Sequence, residues 1–296
     1  MKVGFIGLGI MGRPMAEHLL EKGTELIVSD VNPDAVAVFT EKGAEEGSYT
    51  KIGEQCGIVF LMVPTGAISQ SILFGEGGVA YALEKGSVVC DMSSVTAECS
   101  KECYAKLKEM GIGFVDAPVS GGEGGAKAGS LAIMCGGDEE DYKKLVPYFE
   151  MMGSHSVLVG DSGAGSITKL TNQIIVVNTL AVMSEAFTFA AKAGADVEKV
   201  YNALLGGWAD SNVLREKMPM IMDRNFVPGG TVAIMDKDAG NALLTAHATG
   251  AYLPYTAMTY EIFQHLTSQG YAKADQGIIV QHFEKIAGCE VSRKKD

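Results

Sequence analysis

KVGFIGLGIMG, from Lys2 to Gly12, sets the architecture of the first half of the chain. Val3–Ile6 is a short apolar run with β-branched residues, which is typical of a buried strand. Three glycines with the spacing G-x-G-x-x-G follow at once, and the helix-patterned segment Pro14–Lys22 comes next. A strand, a tight glycine turn and a helix in this order predict the first βα unit of a doubly wound parallel sheet.

The pattern of strand and helix repeats along the first half. Further short apolar runs lie at Glu25–Ser29, Ile58–Val63, Ser87–Cys90 and Gly113–Val115, and a helical pattern covers Pro33–Lys42. Two more apolar runs, Leu131–Cys135 and Ser156–Val159, flank the helical pattern Glu139–Met152. We expect these two runs to extend the same sheet.

The second half contains only helical patterns. One long apolar helix is predicted over residues 166–193, opened by Gly163-Ala164-Gly165 and closed by Gly194. Shorter helices are predicted at Val197–Leu205, Ser211–Asp223, Lys237–Thr249, Tyr255–Ser268 and Ala274–Ala287. The chain therefore reads as an α/β half and an all-helical half, joined by the long helix.

The glycine loop is typical of dinucleotide binding. The segment Gly7, Gly9, Ile10, Met11 and Gly12 allows backbone N–H groups to approach a pyrophosphate at a helix N-terminus. Asp30 ends the next strand 18 residues after Gly12, where a carboxylate can accept hydrogen bonds from an adenosine ribose. Val31 and Asn32 follow, without an arginine, so a 2′-phosphate would face a carboxylate. This favours NAD over NADP as the cofactor.

Residues 1–162 are accordingly predicted to form a Rossmann-type dinucleotide-binding domain. Residues 163–296 are predicted to form an all-helical domain for substrate and oligomerisation, which includes the interdomain helix. That helix is apolar on too many faces for one sheet to cover, so we expect a homodimer or homotetramer.

Composition limits the partners of the chain. It has 296 residues, 47% of them hydrophobic, which is enough for one large or two medium domains with cores of their own. The net charge of −12 argues against a nucleic-acid partner, because phosphate binding needs a basic face. A small anionic substrate would be attracted by a few local cations. The most apolar run, Ile174–Val182, is interrupted by Asn178, so no membrane span is predicted.

Cysteines and histidines give no sign of a metal site. The six cysteines include no C-x-x-C pair, which favours free thiols in a reducing compartment. No H-x-x-x-H pair occurs among the five histidines, so a metal is not expected. The N-terminus lacks a basic segment followed by an apolar one, and a cytoplasmic protein is expected.

Three further segments resemble a known family. Asp116–Gly122 reads DAPVSGG, Gly163–Asn172 reads GAGSITKLTN, and Lys237 is followed by Asp238. With the glycine loop, they resemble the β-hydroxyacid dehydrogenase family over essentially the whole chain. Gly206–Leu214 and Met222–Phe226 are most similar to the tartronate semialdehyde reductases within it.

The resemblance implies an activity. The expected reaction is NAD(H)-dependent interconversion of a small 3-oxo acid, tartronate semialdehyde, and its hydroxy acid, D-glycerate. Dehydrogenases of 3-hydroxyisobutyrate, 2-(hydroxymethyl)glutarate or sulfolactaldehyde share the same motifs and are the alternatives. A remote alternative is a non-catalytic NAD-binding scaffold. Such a protein is expected to lack the lysine, whereas this chain has Lys169. The basic tail of this chain is limited to Arg293-Lys294-Lys295.

Lys169 is the predicted general acid. It stands in the first turn of an otherwise apolar helix, where partial desolvation is expected to lower the pKa of its amine towards neutrality. Asn172, one helical turn later, shares its face and can hold a substrate hydroxyl or carbonyl. Some relatives carry an asparagine four residues after the lysine, where this chain has Gln173. Which of the two amides contacts substrate therefore stays open.

The remaining site residues follow strand ends or the resemblance. Ser120, Gly121 and Gly122 come after a strand carboxyl end and are predicted to hold the substrate carboxylate. The resemblance places Ser94 beside the nicotinamide and Val63 and Pro64 along the cofactor. It also places Lys237 and Asp238 near the cofactor.

Overall fold

A computed structural model describes residues 2–293, so Lys294 and Lys295 of the basic tail lie outside the described residues. The chain divides into two compact units, unit 1 up to Lys169 and unit 2 from Leu170 onward. Each unit has a hydrophobic core of its own.

Unit 1 is built on one nine-stranded sheet. Its strands are β1 (Lys2–Ile6), β2 (Leu26–Ser29), β3 (Glu45–Glu46), β4 (Cys56–Leu61), β5 (Val88–Asp91), β6 (Gly113–Asp116), β7 (Val119–Ser120), β8 (Leu131–Gly137) and β9 (Gly153–Gly160). The order is β3-β2-β1-β4-β5-β6-β8-β7, with β9 paired to β8. The first six strands of that order are parallel, and their succession is that of a Rossmann fold.

Helices connect the strands of unit 1. They are α1 (Gly12–Glu21), α2 (Pro33–Glu41), α3 (Tyr49–Gln55), α4 (Gly66–Phe74), α5 (Ala97–Glu109), α6 (Gly122–Lys127) and α7 (Glu139–Met152). Side chains of each strand alternate between the two sheet faces. Phe5 and Phe60 lie in one buried cluster together with Phe39 of α2 and Phe149 of α7. Ile6 of β1 lies in the other cluster, with residues of α3, α4 and α5.

Unit 2 is helical in all its described elements except one isolated bridge. The long helix α8 (Ala164–Lys192) begins in unit 1 and continues into unit 2. It is followed by α9 (Val197–Leu204), α10 (Asn212–Met222), α11 (Val232–Thr249), α12 (Pro254–Ser268), a short 3₁₀ helix (Gln276–Ile279) and α13 (Val280–Ala287). Val177, Leu180 and Phe187 of α8 are buried in the core of unit 2.

The fold class predicted from the sequence is confirmed, with two differences in detail. The strand β8 extends the sheet as expected but runs antiparallel to β6. An apolar run identifies a strand without giving its direction, so this could not be read from the pattern. Helix α11 begins at Val232, capped by the Thr231 side chain, five residues before the predicted start at Lys237.

Helix α8 meets, by length and composition alone, the criterion for a membrane span, with a mean hydropathy of 1.7. Core helices of soluble proteins meet the same criterion. Three of its apolar residues, Ile175, Val182 and Phe189, recur every seven positions and are 63%, 62% and 74% exposed. One face of the helix is therefore apolar and uncovered within the chain.

Candidate active site

The carboxyl ends of the parallel strands carry most of the predicted site residues of unit 1. The strand order reverses between β1 and β4, and in open α/β sheets ligands bind outside such a switch point. Gly7 follows β1, Asp30 follows β2, and Val63 lies two residues beyond β4. The fold thus brings these predicted cofactor contacts to one edge of the sheet.

The three glycines of the loop have three different roles. Gly7 has a φ of +99°, and a Cβ there would lie 2.3 Å from the carbonyl oxygen of Met62. A Cβ on Gly12 would lie 2.0 Å from the carbonyl oxygen of Gly7, so glycine lets α1 pack close to β1. A Cβ on Gly9 would meet nothing within 4 Å. A tight turn, close helix packing and open space at the middle glycine are the features that fit a bound pyrophosphate.

Asp30 holds the glycine loop to the end of β2. Its Oδ2 accepts a hydrogen bond from the backbone N–H of Leu8 at 2.6 Å, and its Oδ1 accepts one from Asn32 at 2.7 Å. Each carboxylate oxygen has a second lone pair, so both can still accept a ribose hydroxyl. Val31 is exposed beside it. The position fits the predicted contact with adenosine.

A buried network orders the loops that follow β4 and β5. The Oδ1 of Asp91 accepts the backbone N–H of Ser93 at 2.9 Å, and the Ser93 hydroxyl accepts the N–H of Val63 at 2.9 Å. Burial raises the pKa of the Asp91 carboxyl, while the hydrogen bonds from Ser93 oppose the rise. Ser94 is half-buried and Pro64 is exposed. Asp91 and Ser93 therefore support the two loops on which Ser94 and Pro64 stand.

The DAPVSGG segment lies at the end of β6 and in β7. Asp116 is 1% exposed, and its carboxylate accepts the backbone N–H groups of Gly163 and Ser166, both at 2.7 Å. Ser120 ends β7 and is half-buried. Gly121 and Gly122 follow, both exposed, with φ values of +136° and +59°, a backbone conformation that favours glycine. Lys169 is half-buried one turn after Ser166.

In unit 2, four predicted site residues form one chain of polar contacts. The Nδ2 of Asn172 donates to the Oε1 of Gln173 at 2.8 Å, and the Nε2 of Gln173 donates to the Oδ2 of Asp238 at 2.6 Å. The Nζ of Lys237 lies 3.2 Å from the Oδ1 of Asp238. Gln173 and Asp238 are buried, whereas Asn172 and Lys237 are half-buried. Gln173 thus supports Asn172 from the inside.

Comparison with known proteins agrees with this geometry. Residues 2–160 match the family model described as the NAD binding domain of 6-phosphogluconate dehydrogenase. Residues 163–283 match the model described as the NAD-binding of NADP-dependent 3-hydroxyisobutyrate dehydrogenase. The chain is 40% identical over 292 residues to 2-hydroxy-3-oxopropionate reductase of Escherichia coli K12, covering 99% of this chain and 100% of that protein. The chain belongs to the β-hydroxyacid dehydrogenase family.

Other β-hydroxyacid dehydrogenases are similar over their full length. The 2-(hydroxymethyl)glutarate dehydrogenase of Eubacterium barkeri is 34% identical, with 99% of this chain and 98% of that protein covered. The crystal structure of a 3-hydroxyisobutyrate dehydrogenase from Salmonella typhimurium has a TM-score of 0.86 at 29% identity, covering 96% of this chain and 100% of that one. This oxidoreductase therefore has the fold and NAD(P)-binding domain of its family.

Burial keeps two of the cysteine thiols of this dehydrogenase protonated. Burial raises the pKa of the Cys56 thiol to about 11 and that of Cys135 to about 12, so neither is a thiolate at neutral pH. All six cysteines are free thiols. Within residues 2–293, no group of three His, Cys, Asp or Glu side chains could hold a metal ion.

Sequence reasoning missed the supporting residues of this dehydrogenase. The sequence patterns predict no role for Asp91, Ser93 or Asp116, and for Gln173 and Asp238 they do not predict the hydrogen bond that joins the two side chains. The Asp116 and Asp238 contacts join residues 47 to 65 positions apart. One signal was present, because a carboxylate at the last residue of a buried strand needs hydrogen-bond donors.

Proposed function

We propose that this β-hydroxyacid dehydrogenase reduces tartronate semialdehyde to D-glycerate. The observation that carries the proposal is the 40% identity to the E. coli 2-hydroxy-3-oxopropionate reductase over the full length of both chains. The Gly206–Leu214 and Met222–Phe226 segments, which resemble such reductases, support the same substrate. The site residues would serve the other acids of the family by the same chemistry.

NAD is the proposed cofactor. The open space at Gly9 fits a pyrophosphate, and the Asp30 carboxylate fits a ribose with free hydroxyls and would repel a 2′-phosphate. The second family model takes its name from NADP-dependent enzymes, and a comparison of kcat/KM with NADH and with NADPH tests the proposed preference. Bound NADH would supply the hydride for the aldehyde carbon.

The residues of this chain hold the substrate and move one proton. The Ser120 hydroxyl and the backbone amides of Gly121 and Gly122 bind the substrate carboxylate. As hydride adds to the aldehyde carbon, the C=O π electrons move to oxygen, and the Nζ of Lys169 donates a proton to that oxygen. Asn172 holds the same oxygen or the neighbouring hydroxyl. Ser94, Val63, Pro64 and Lys237 border the cofactor in this proposal.

Gln173 and Asp238 act behind Asn172. Because Asp238 accepts from the Gln173 amide nitrogen, the Gln173 carbonyl is the group presented to Asn172. Asn172 must then turn its nitrogen towards Gln173, which orients its oxygen as well. Of the two amides, Asn172 is therefore the proposed substrate contact.

The enzyme is proposed to be a cytoplasmic homo-oligomer with residues 163–296 as its substrate and oligomerisation domain. The exposed Ile175, Val182 and Phe189 form an apolar stripe that a second copy would cover. Light scattering should give a dimer or tetramer. Val182→Glu should dissociate it, whereas Ile286→Glu, at an exposed position on α13, should not. A 31.2 kDa particle from the unmodified protein contradicts the assembly.

A substrate panel tests the activity. Oxidation of NADH and NADPH is followed at 340 nm with tartronate semialdehyde, and reduction of NAD and NADP is followed with the other hydroxy acids. The highest kcat/KM is expected for tartronate semialdehyde with NADH. The 34% identity to the E. barkeri enzyme makes 2-(hydroxymethyl)glutarate the second candidate. A higher kcat/KM for that acid, or for 3-hydroxyisobutyrate, would replace the proposed substrate.

A further inference from the structure

The buried carboxylate of Asp116 connects the end of β6 to the beginning of α8. Its Oδ1 accepts the N–H of Gly163 and its Oδ2 accepts the N–H of Ser166, each at 2.7 Å. N–H groups in the first turn of a helix have no partner within the helix. One side chain therefore supplies acceptors to two amides at the start of α8, 47 and 50 residues away in sequence.

The first turn of α8 is seated closely on the strands. A Cβ on Gly165 would lie 2.4 Å from the carbonyl oxygens of Asp116 and Met134. A Cβ on Gly136 would lie 2.6 Å from the Gly165 nitrogen. The hydroxyls of Ser100 and Ser166 are 2.9 Å apart and both residues are buried. The close approaches at Gly165 and Gly136 are what leave the turn little freedom to shift.

The position of Lys169 depends on this first turn of α8. It is three residues after Ser166 in the same helix, so its Cα stands almost one turn above the amide that Asp116 holds. A displacement of Gly163–Ser166 would move the lysine with it. A misplacement of 1 Å at a reacting group can cost about a hundredfold in rate.

Capping a buried helix end with a carboxylate has a high desolvation free energy. Burial raises the pKa of Asp116, and the bonds from Gly163 and Ser166 oppose that rise. A serine or asparagine caps helices at a lower desolvation cost but offers fewer acceptors. A carboxylate can accept two N–H groups on two oxygens at once. That double attachment favours a role in placing the turn.

We propose that Asp116 is a positioning residue that fixes the first turn of α8 and thereby sets Lys169 for proton transfer. The inference rests on the proposed function, in which Lys169 is the general acid. It predicts that the contribution of Asp116 to the rate passes through the lysine. A merely structural Asp116 would affect stability and all kinetic steps alike.

The test is a double-mutant cycle with Asp116→Asn and Lys169→Ala. Asparagine keeps the volume but presents one oxygen and one NH₂ group, so one of the two amides loses its acceptor. We expect kcat to fall about tenfold, about 1.4 kcal/mol in the barrier. The NADH dissociation constant should stay within about twofold, and the solvent deuterium isotope effect on kcat should rise. In the Lys169→Ala background, Asp116→Asn should change the residual rate less than about twofold.

The outcomes separate this inference from the proposed function. A Lys169→Ala variant that keeps its activity overturns the proposed role of Lys169 as general acid, on which this inference rests. An inactive Lys169→Ala together with wild-type kcat in Asp116→Asn overturns only the role of Asp116. Equal losses in both backgrounds also overturn it. Asp116→Ser is the second variant if Asn does not fold, and failure of both to fold shows that the role is structural.

Ser100→Ala is the matched control. It removes the hydroxyl contact with Ser166 but leaves both amide bonds to Asp116 in place. Its kcat and isotope effect should equal those of the unmodified enzyme. A tenfold loss of kcat in this control would show that any change beside the turn lowers the rate, and would overturn the specific role of Asp116.

Discussion

Asp116 and Asp238 are equally buried, each 1% exposed, yet they hold different kinds of partner. Asp116 accepts two backbone amides and so fixes a segment of chain. Asp238 accepts a side-chain amide and lies beside the neighbouring lysine, so it orients side chains. The difference teaches that the buried carboxylate in unit 1 fixes backbone, whereas the one in unit 2 fixes side chains. Changes at Asp116 should therefore be the less tolerated.

Replacing Lys169, which follows the turn that Asp116 holds, should have the largest effect on the rate. Lys169→Ala removes the proposed proton donor, and kcat should fall about 10²–10⁴-fold. The NADH dissociation constant, measured by fluorescence titration, should hardly change. Lys192→Ala, at the exposed end of the same helix, should match the unmodified enzyme. More than about a tenth of the normal rate in Lys169→Ala would remove the lysine from the mechanism.

Two substitutions in the glycine loop test how closely the backbone must pack there. Gly12→Ala puts a Cβ 2.0 Å from the carbonyl oxygen of Gly7, so this variant should melt at a lower temperature and lose cofactor binding. Gly9→Ala meets nothing within 4 Å and should melt like the unmodified protein. Its Cβ would intrude on a pyrophosphate, so its NADH affinity should fall about tenfold, ~1.4 kcal/mol. Equal melting temperatures and affinities for the two variants would contradict the assigned glycine roles.

Asp238 offers the corresponding test on side-chain placement. Asp238→Asn can present an NH₂ group to Gln173. The Gln173 amide would then turn its oxygen towards that group, and the Asn172 amide would have to turn as well. We expect kcat/KM to fall about tenfold, about 1.4 kcal/mol, with little change in melting temperature. Asp236→Asn, two residues earlier on α11, should leave kcat/KM unchanged because its carboxylate contacts Gln264 and Thr267 instead. A loss as large as that of Lys169→Ala would erase the difference between the two regions.

Substitutions at the end of β2 should change the preference between NADH and NADPH. Asp30→Ala with Val31→Arg replaces a carboxylate by a cation where a 2′-phosphate would lie. The ratio of kcat/KM for NADPH over NADH should rise at least about fivefold, ~1 kcal/mol. Val31→Arg alone should give a smaller rise. If the unmodified enzyme already prefers NADPH, the assignment of Asp30 to NAD specificity is wrong.

The smallest effect concerns pH and Asp91. Burial raises the pKa of Asp91 in the folded chain, so the folded state holds this proton more tightly than the unfolded state. Its contribution to stability is greatest below about pH 4, the unfolded pKa, and is lost as pH rises through the folded pKa. The free energy of unfolding should therefore fall relative to that of Asp91→Asn as pH rises above about 4. Urea titrations measure it, and a difference that stays constant or grows would contradict the shift.

Local patterns explain what could be predicted from the sequence. The segment from Val3 to Asp30 contains a strand, turn, helix and second strand in sequence, so the glycine loop and its carboxylate could be assigned together. The first turn of an apolar helix predicts a role for Lys169 and a strand carboxyl end predicts one for Ser120, and both residues also stand in the motifs of the family resemblance. The strand order confirms the predicted fold class, and the full-length relatives confirm the family.

Contacts between distant segments were beyond the reach of periodicity. Asp116 and Ser166 are 50 residues apart, and Gln173 and Asp238 are 65 residues apart. Which donor meets a buried carboxylate depends on the packing of whole elements. The two-residue strand β7 is also too short to show alternation, although it places Ser120 at the sheet.

The unbroken course of α8 has a consequence for engineered recombination between relatives. Its 29 residues form a rod of about 43 Å at 1.5 Å per residue. Lys169 and Asn172 share a face only while the spacing between them is kept, since each inserted or deleted residue rotates the later part by about 100°. A chimera joined at Lys169–Leu170, where the compact units divide, must therefore preserve helical phase. A crossover at 193–196, after the helix has ended, transfers the whole of α8 together with Lys169, Asn172 and Gln173.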